Sequence, residues 1–159
     1  MKNLMIPALA LFLSAGQADD SPLWMRYCAI SPDGQTIAFS YQGDIYTVPS
    51  SGGKARQLTT HPAHGTRPVW SPDGQRIAFA SNRSGNFDVF LMNKEGGEPK
   101  RLTTHSTNEY PTTFKDNGHI LYLANVLQDA KDIQFPGTRF MQVYEISTDG
   151  GRPDLYSSL

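Results

Sequence analysis

The chain has 159 residues, enough for a hydrophobic core of its own. Fourteen Lys and Arg against fifteen Asp and Glu leave a formal charge of −1, with no run of like charge, so the basic stripe of a nucleic-acid binder is missing and no nucleic acid is expected as a partner. Fourteen Gly and eleven Pro, with Tyr, Phe, Ile and Val in short bursts, favour many turns and an all-β chain over a helical one.

The first element is not part of the fold. Lys2 precedes an apolar run from Leu4 to Leu13, and Gly16 and Ala18 stand at the spacing of a cleavage site. The run is well short of the ~20 residues a spanning helix needs. It therefore reads as an export signal covering 1–18, with a mature start at Asp19, a periplasmic or secreted destination and no transmembrane segment after cleavage; a buried N-terminal helix is the alternative. Cys28 is the one cysteine, so no internal disulfide or Cys-pair metal site exists, and its place in an apolar stretch reads as core.

Beyond the leader the text repeats. "ISPDGQTIAF" from Ile30 to Phe39 returns as "WSPDGQRIAF" from Trp70 to Phe79, and the pairs Gly52-Gly53 and Gly96-Gly97 are 44 positions apart, as are the two "LTTH" segments. A third copy runs through "PTTFKDNGHILYLA" from Pro111 and "MQVYEISTDGG" from Met141, with Gly150-Gly151 displaced by 54 because of extra residues between Asn125 and Thr138. Each copy reads as four short strands; in the second they are Pro68–Ser71, Arg76–Ala80, Asp88–Met92 and Lys100–Thr103. "SPDG" is a tight turn in which proline presets φ, aspartate bonds its own backbone and glycine takes the left-handed exit. Ile77, Phe79, Val89 and Leu91 share a parity and read as one buried face. Pairing of Phe79 with either Phe90 or Val89 fits the pattern.

Four antiparallel strands every 40 to 45 residues mark the blade of a β-propeller, here a partial one of three blades at about 24–61, 66–105 and 109–157. "SPDGxxIAF", then "D[IV][YF]", then "GGxxxxLTTH" resembles the PD-type, WD-like repeats of the Tol-system propeller protein and of tricorn-type serine peptidases. The flanking "PLWMRYCAISPDGQTIAFSYQGDIYTVPSSGGKARQLTTHPAH" is similar to the start of the bacterial secreted tricorn-like peptidases. In that family the hydrolytic serine and its partners lie in a later domain with no counterpart here. The resemblance thus implies a non-catalytic propeller portion that gates or guides peptides toward a peptidase domain. The alternative is a Tol-like module that binds envelope proteins; a prolyl-oligopeptidase-like parent is a third.

The third copy departs from the pattern, with "FKDNG" for "SPDG", so its first turn is expected to be looser. Phe135 and Pro136, in the extra residues of that copy, are the expected partner-contact loop. No G-x-S-x-G, H-E-x-x-H or glycine-rich phosphate loop is present, so no catalytic residue, cofactor or metal is expected. His61, His64 and His105 pose the one metal question, but recurrence of His61 and His105 at one repeat position favours loop packing. "NRS" at Asn82 matches a glycosylation sequon and equally a polar hairpin turn. The pairs Asp33 and Asp73, and Asp44 and Asp88, read as turn formers or strand-end hydrogen bonders.

Propellers close with four to eight blades, so three leave apolar outer faces. The expected partners are the remaining propeller and peptidase domains of a longer parent, together with peptide substrates, or other copies of this chain.

Overall fold

The computed structural model describes residues 24–125 and 141–157. The expected leader and the loop of Phe135 and Pro136 lie outside them.

Twelve strands form three sheets of four, each antiparallel and in simple meander order, and there is no helix among the described residues. Blade 1 holds β1 (Arg26–Ile30), β2 (Thr36–Tyr41), β3 (Asp44–Pro49) and β4 (Arg56–Gln57). Blade 2 holds β5 (Gly65–Trp70), β6 (Arg76–Ser81), β7 (Asp88–Asn93) and β8 (Gly96–Arg101). Blade 3 holds β9 (Glu109–Phe114), β10 (His119–Ala124), β11 (Gln142–Ser147) and β12 (Asp154–Ser157). The innermost strands β1, β5 and β9 neighbour one another in turn, and β5 and β9 also pack across the sheet before them. This is the radial stacking of a partial β-propeller.

The recurrent turn forms as its letters require. In blade 1 the Ser31 hydroxyl donates to Asp33 at 2.5 Å and accepts from the Thr36 N–H at 2.9 Å, while Asp33 accepts from the Gln35 N–H at 3.0 Å. Blade 2 repeats it: Ser71 donates to Asp73 at 2.6 Å and Asp73 accepts from the Gln75 N–H at 2.9 Å. These bonds hold both aspartates below the usual carboxylate range, the serine hydroxyl contributing most. In blade 3 Asp116 substitutes, accepting from the Gly118 N–H at 2.7 Å and lying 3.0 Å from His119 Nδ1. The Lys115 N–H still closes on the His119 carbonyl at 3.0 Å, so the altered turn stays closed.

The faces differ from the sequence expectation. Phe79 pairs with Phe90 and Ala80 with Val89, so Ile77, Phe79, Phe90 and Met92 share one face and Ala78, Val89 and Leu91 the other. Blade 2 buries both. Its first face packs on Ala38, Ile45 and Leu58 of blade 1, and its second on Phe114, Ile120, Tyr122, Tyr144 and Ile146 of blade 3. A strand covered on both sides loses polar alternation, and each large side chain it buries contributes about 1.5–3 kcal/mol. Small alanines at Ala38 and Ala78 leave room for the large rings of the following blade. The Trp70 indole N–H fastens the first seam by donating to the Ala29 carbonyl at 3.0 Å.

Two further expectations are corrected. Cys28 is exposed, not core, whereas Pro68 at the same place in blade 2 is buried; no blade precedes β1 among the described residues. The innermost strand of blade 2 begins at Gly65, earlier than Pro68, and its outermost spans Gly96–Arg101, ahead of Lys100–Thr103. The glycine pair joins the strand because Asn93 pairs with Gly96 across a two-residue turn.

Candidate functional site: an axial cleft

The innermost strands do more than line the axis. β1 and β5 each carry a bulge, between Arg26 and Ala29 and between Thr66 and Val69. Inside them Tyr27 and Arg67 stand at equivalent places, and both have φ of 54°. Left-handed backbone at a non-glycine residue costs of order 1–3 kcal/mol and is kept where the surroundings enforce it. A bulge re-aims a side chain, and these two re-aim into one cleft.

The Arg67 guanidinium lies 5.1 Å from the Tyr27 ring and 4.3 Å from the Tyr110 ring of β9, so one cation is held by rings from the blades on either side. Tyr110 in turn packs on Phe87 at 5.5 Å, and Arg26 sits over Trp24 at 5.2 Å. The cleft measures about 400 Å³ and takes lining from all three blades. Its side chains are aromatic, cationic or neutral, and none is an aspartate or glutamate. It can therefore offer N–H donors and flat apolar surface to a ligand that carries carbonyl or carboxylate oxygens.

A second group lies in the seam beside it. Asp88 is fully buried and pairs with Arg101 at 2.8 Å. Glu109, the first residue of β9, is 1% exposed. Burial pushes its carboxyl up to about 7; the Asp88 charge adds to the rise, while the Thr103 hydroxyl, the His105 backbone and Arg101 oppose it. Burial likewise raises Asp88, against the opposing pull of Arg101. Tyr122 is raised as well, first by burial and then by the Glu109 charge.

The residues singled out from sequence take structural places. His61 Nδ1 accepts from the Ala63 N–H at 3.0 Å and His105 Nδ1 from the Thr107 N–H at 3.2 Å, the same turn closed twice. His64 instead lines the cleft. No group of three or more His, Cys, Asp or Glu suited to a metal ion gathers among the described residues. Asn82 Oδ1 accepts from the His64 N–H at 2.8 Å, tying the β6–β7 turn to the linker before β5. Asp44 accepts from Thr59 at 2.6 Å and Gln57 at 2.9 Å, and Thr59 accepts from the Ile45 N–H at 3.0 Å. Sequence reading missed Tyr27, Arg67, Tyr110, Arg101 and Glu109. Tyr27 and Arg67 are visible as one repeat position once the copies are aligned, but the bulge that turns them inward leaves no mark in the letters.

Comparison with known proteins agrees with this architecture. A family model described as the tricorn protease N-terminal beta propeller domain matches residues 22–157. The tricorn protease homolog 1 of Streptomyces coelicolor is 34% identical over 71 residues, covering 45% of this chain and 6% of its own length. A TolB homolog of Chlorobium luteolum is 39% identical over 57 residues, 36% of this chain and 13% of its own. The solved TolB of Agrobacterium tumefaciens superposes with a TM-score of 0.70 at 24% identity, over 85% of this chain and 50% of that one, a likeness of fold. The chain thus spans a small part of these curated relatives and half of the solved one. Matched over all of its described residues, the chain belongs to the tricorn protease N-terminal β-propeller family.

Proposed function

We propose that this chain is the non-catalytic propeller portion of an exported tricorn-like serine peptidase, and that its axial cleft receives peptides and guides them toward catalytic residues carried elsewhere in the parent. The observation that carries the reading is the Arg67 guanidinium held between Tyr27 and Tyr110 in an acid-free cleft reached by all three blades. A peptide is rich in carbonyl oxygens and ends in a carboxylate. Arginine donors match those oxygens, and the rings supply sequence-tolerant apolar contact. The signal-like 1–18 supports work in the periplasm or outside the cell. The remaining propeller and peptidase domains are its partners, and Phe135 and Pro136 are the residues proposed to meet them.

A Tol-type binding module for envelope proteins is the second reading, favoured by the 39% identity to a TolB homolog. Fluorescence anisotropy with short labelled peptides separates the two. Saturable binding that Arg67→Ala weakens supports the peptide reading. Absence of binding, or binding indifferent to Arg67→Ala and Tyr110→Ala, overturns it. Peptide hydrolysis by the purified chain that is sensitive to serine reagents overturns the non-catalytic part.

A further inference from the structure

The two seams have the same backbone and different chemistry. Asp44, Gln57, Thr59 and Gly65 of the first correspond to Asp88, Arg101, Thr103 and Glu109 of the second, 44 residues on in every case. Their backbones match too: the Gly65 N–H donates to the Gly43 carbonyl at 2.6 Å, and the Glu109 N–H to the Phe87 carbonyl at 2.7 Å. At the first seam one aspartate accepts hydrogen bonds from neutral side chains, Gln57 and Thr59, and the Arg83 guanidinium acts on it through its charge alone. At the second, one guanidinium faces two carboxylates.

Asp88 has the direct pair with Arg101 at 2.8 Å. Glu109 Oε2 has no hydrogen-bond partner among the described residues; Asp88 Oδ2 is held by the ion pair alone, and the Arg101 Nε–H is also without a hydrogen-bond partner. The groups turned toward Glu109 are Asp88 from β7, Arg101 from β8, the Thr103 hydroxyl and His105 backbone beyond β8, and Tyr122 from β10, on which Tyr144 of β11 stacks at 5.6 Å. Two ionised carboxylates and one guanidinium amount to a buried net charge of −1. Such a charge is costly to keep from water, and a proton on Glu109 removes it.

Glu109 is also joined to the cleft. The next residue, Tyr110, packs on Phe87, whose carbonyl holds the Glu109 N–H, and covers the Arg67 guanidinium at 4.3 Å. We propose that Glu109 is a proton-operated latch on the seam between blades 2 and 3, closed when its carboxyl carries a proton and loosened when it ionises, and that through Tyr110 it makes the axial cleft hold peptides more tightly in acid than at neutral pH. The second half rests on the peptide-binding reading above; the first does not.

The sign follows from linkage. The carboxyl titrates at about 7 in the closed seam, against 4.5 for an unperturbed glutamate. Between those values the closed seam keeps a proton that an opened one releases, so each pH unit favours opening about tenfold, levelling off above the upper value.

Hydrogen exchange of the whole chain reads this directly, with the Gly65 amide as internal control. After correction for the intrinsic rate, the opening constant of the Glu109 amide is expected to rise about tenfold per unit from roughly pH 5 to 7 and then flatten. The Gly65 amide is expected to stay level, and Glu109→Gln to level both. The latch is overturned if the two wild-type amides move together or if the slope survives in Glu109→Gln. Should that variant fail to fold, the wild-type pair of amides decides alone. For the cleft, the affinity of a fluorescein-labelled Ala-Phe-Ala-Phe peptide is expected to fall from pH 5 to 7 in the wild type and not in Glu109→Gln. A pH-independent affinity in the wild type overturns the coupling and leaves the amide result standing. Failure to bind at any pH overturns the peptide reading together with the coupling, and the amides still judge the latch.

Discussion

Tyr27 and Arg67 stand at the same step of consecutive innermost strands, each with φ of 54°, and the guanidinium of the second lies 5.1 Å from the ring of the first. The repeat therefore supplies a place on the axis rather than a side chain, and neighbouring blades fill it with complementary groups. Arg67→Ala strips the cation from between Tyr27 and Tyr110. Peptide affinity, measured by anisotropy, is expected to fall by about 10- to 150-fold, the equivalent of a charge-assisted hydrogen bond of roughly 1.5–3 kcal/mol. Arg67→Lys, which keeps the charge but not the flat face, is expected to fall between the two.

Ile77 and Ile37 are the same residue type in consecutive blades, with different cover. Ile77 is fully buried against blade 1, whereas Ile37 on the outer face of blade 1 is half-buried. Ile77→Ala is expected to cost about 2–5 kcal/mol in urea denaturation. Ile37→Ala is expected to cost well under half of that, because no other blade among the described residues closes around the space it leaves. Equal losses would mean that blade 1 is covered on its outer face.

Thr103 repeats what Thr59 does in the first blade. Its hydroxyl accepts from the buried Val89 N–H at 2.9 Å. Thr103→Val keeps the shape and orphans that donor, so chemical denaturation is expected to show a loss of about 1–3 kcal/mol. Thr103→Ser, which retains the acceptor, is expected to recover most of it.

Gly96 and Gly97 both have positive φ, 83° and 107°, yet they are not equivalent. A Cβ on Gly96 would stand 3.1 Å from the Leu58 carbonyl oxygen of blade 1, while one on Gly97 meets nothing within 4 Å. Each Gly→Ala change carries backbone strain of about 1–3 kcal/mol. Gly96→Ala is expected to be the more damaging in thermal melts, since the obstacle is backbone of the neighbouring blade and cannot rotate away.

The blades and the count of strands were legible in the letters because the text repeats, and the recurrent turns because their bonds run between residues two to five positions apart. Ser31, Asp33 and Gln35 contact one another wherever the rest of the chain goes. Histidine recurrence at His61 and His105 was read correctly as loop packing for the same reason: each ring caps an N–H two residues on. Facing was not legible in this way. Ile77 and Leu91 share a parity but point to opposite sides of blade 2, since parity within a strand says nothing about register between strands. Cys28 was misplaced because burial in a propeller comes from the neighbouring blade, not from the apolar character of the strand itself.

The same reason separates the sites. By itself the sequence determined the repeat, the family resemblance and the local bonding of the two SPDG turns. Only the tertiary structure decided that bulges turn Tyr27 and Arg67 onto one axis, and that closing blade 3 over blade 2 buries Glu109 beside Asp88 and Arg101. Those groups come from separate blades, and their chemistry exists only once packing has removed the water between them.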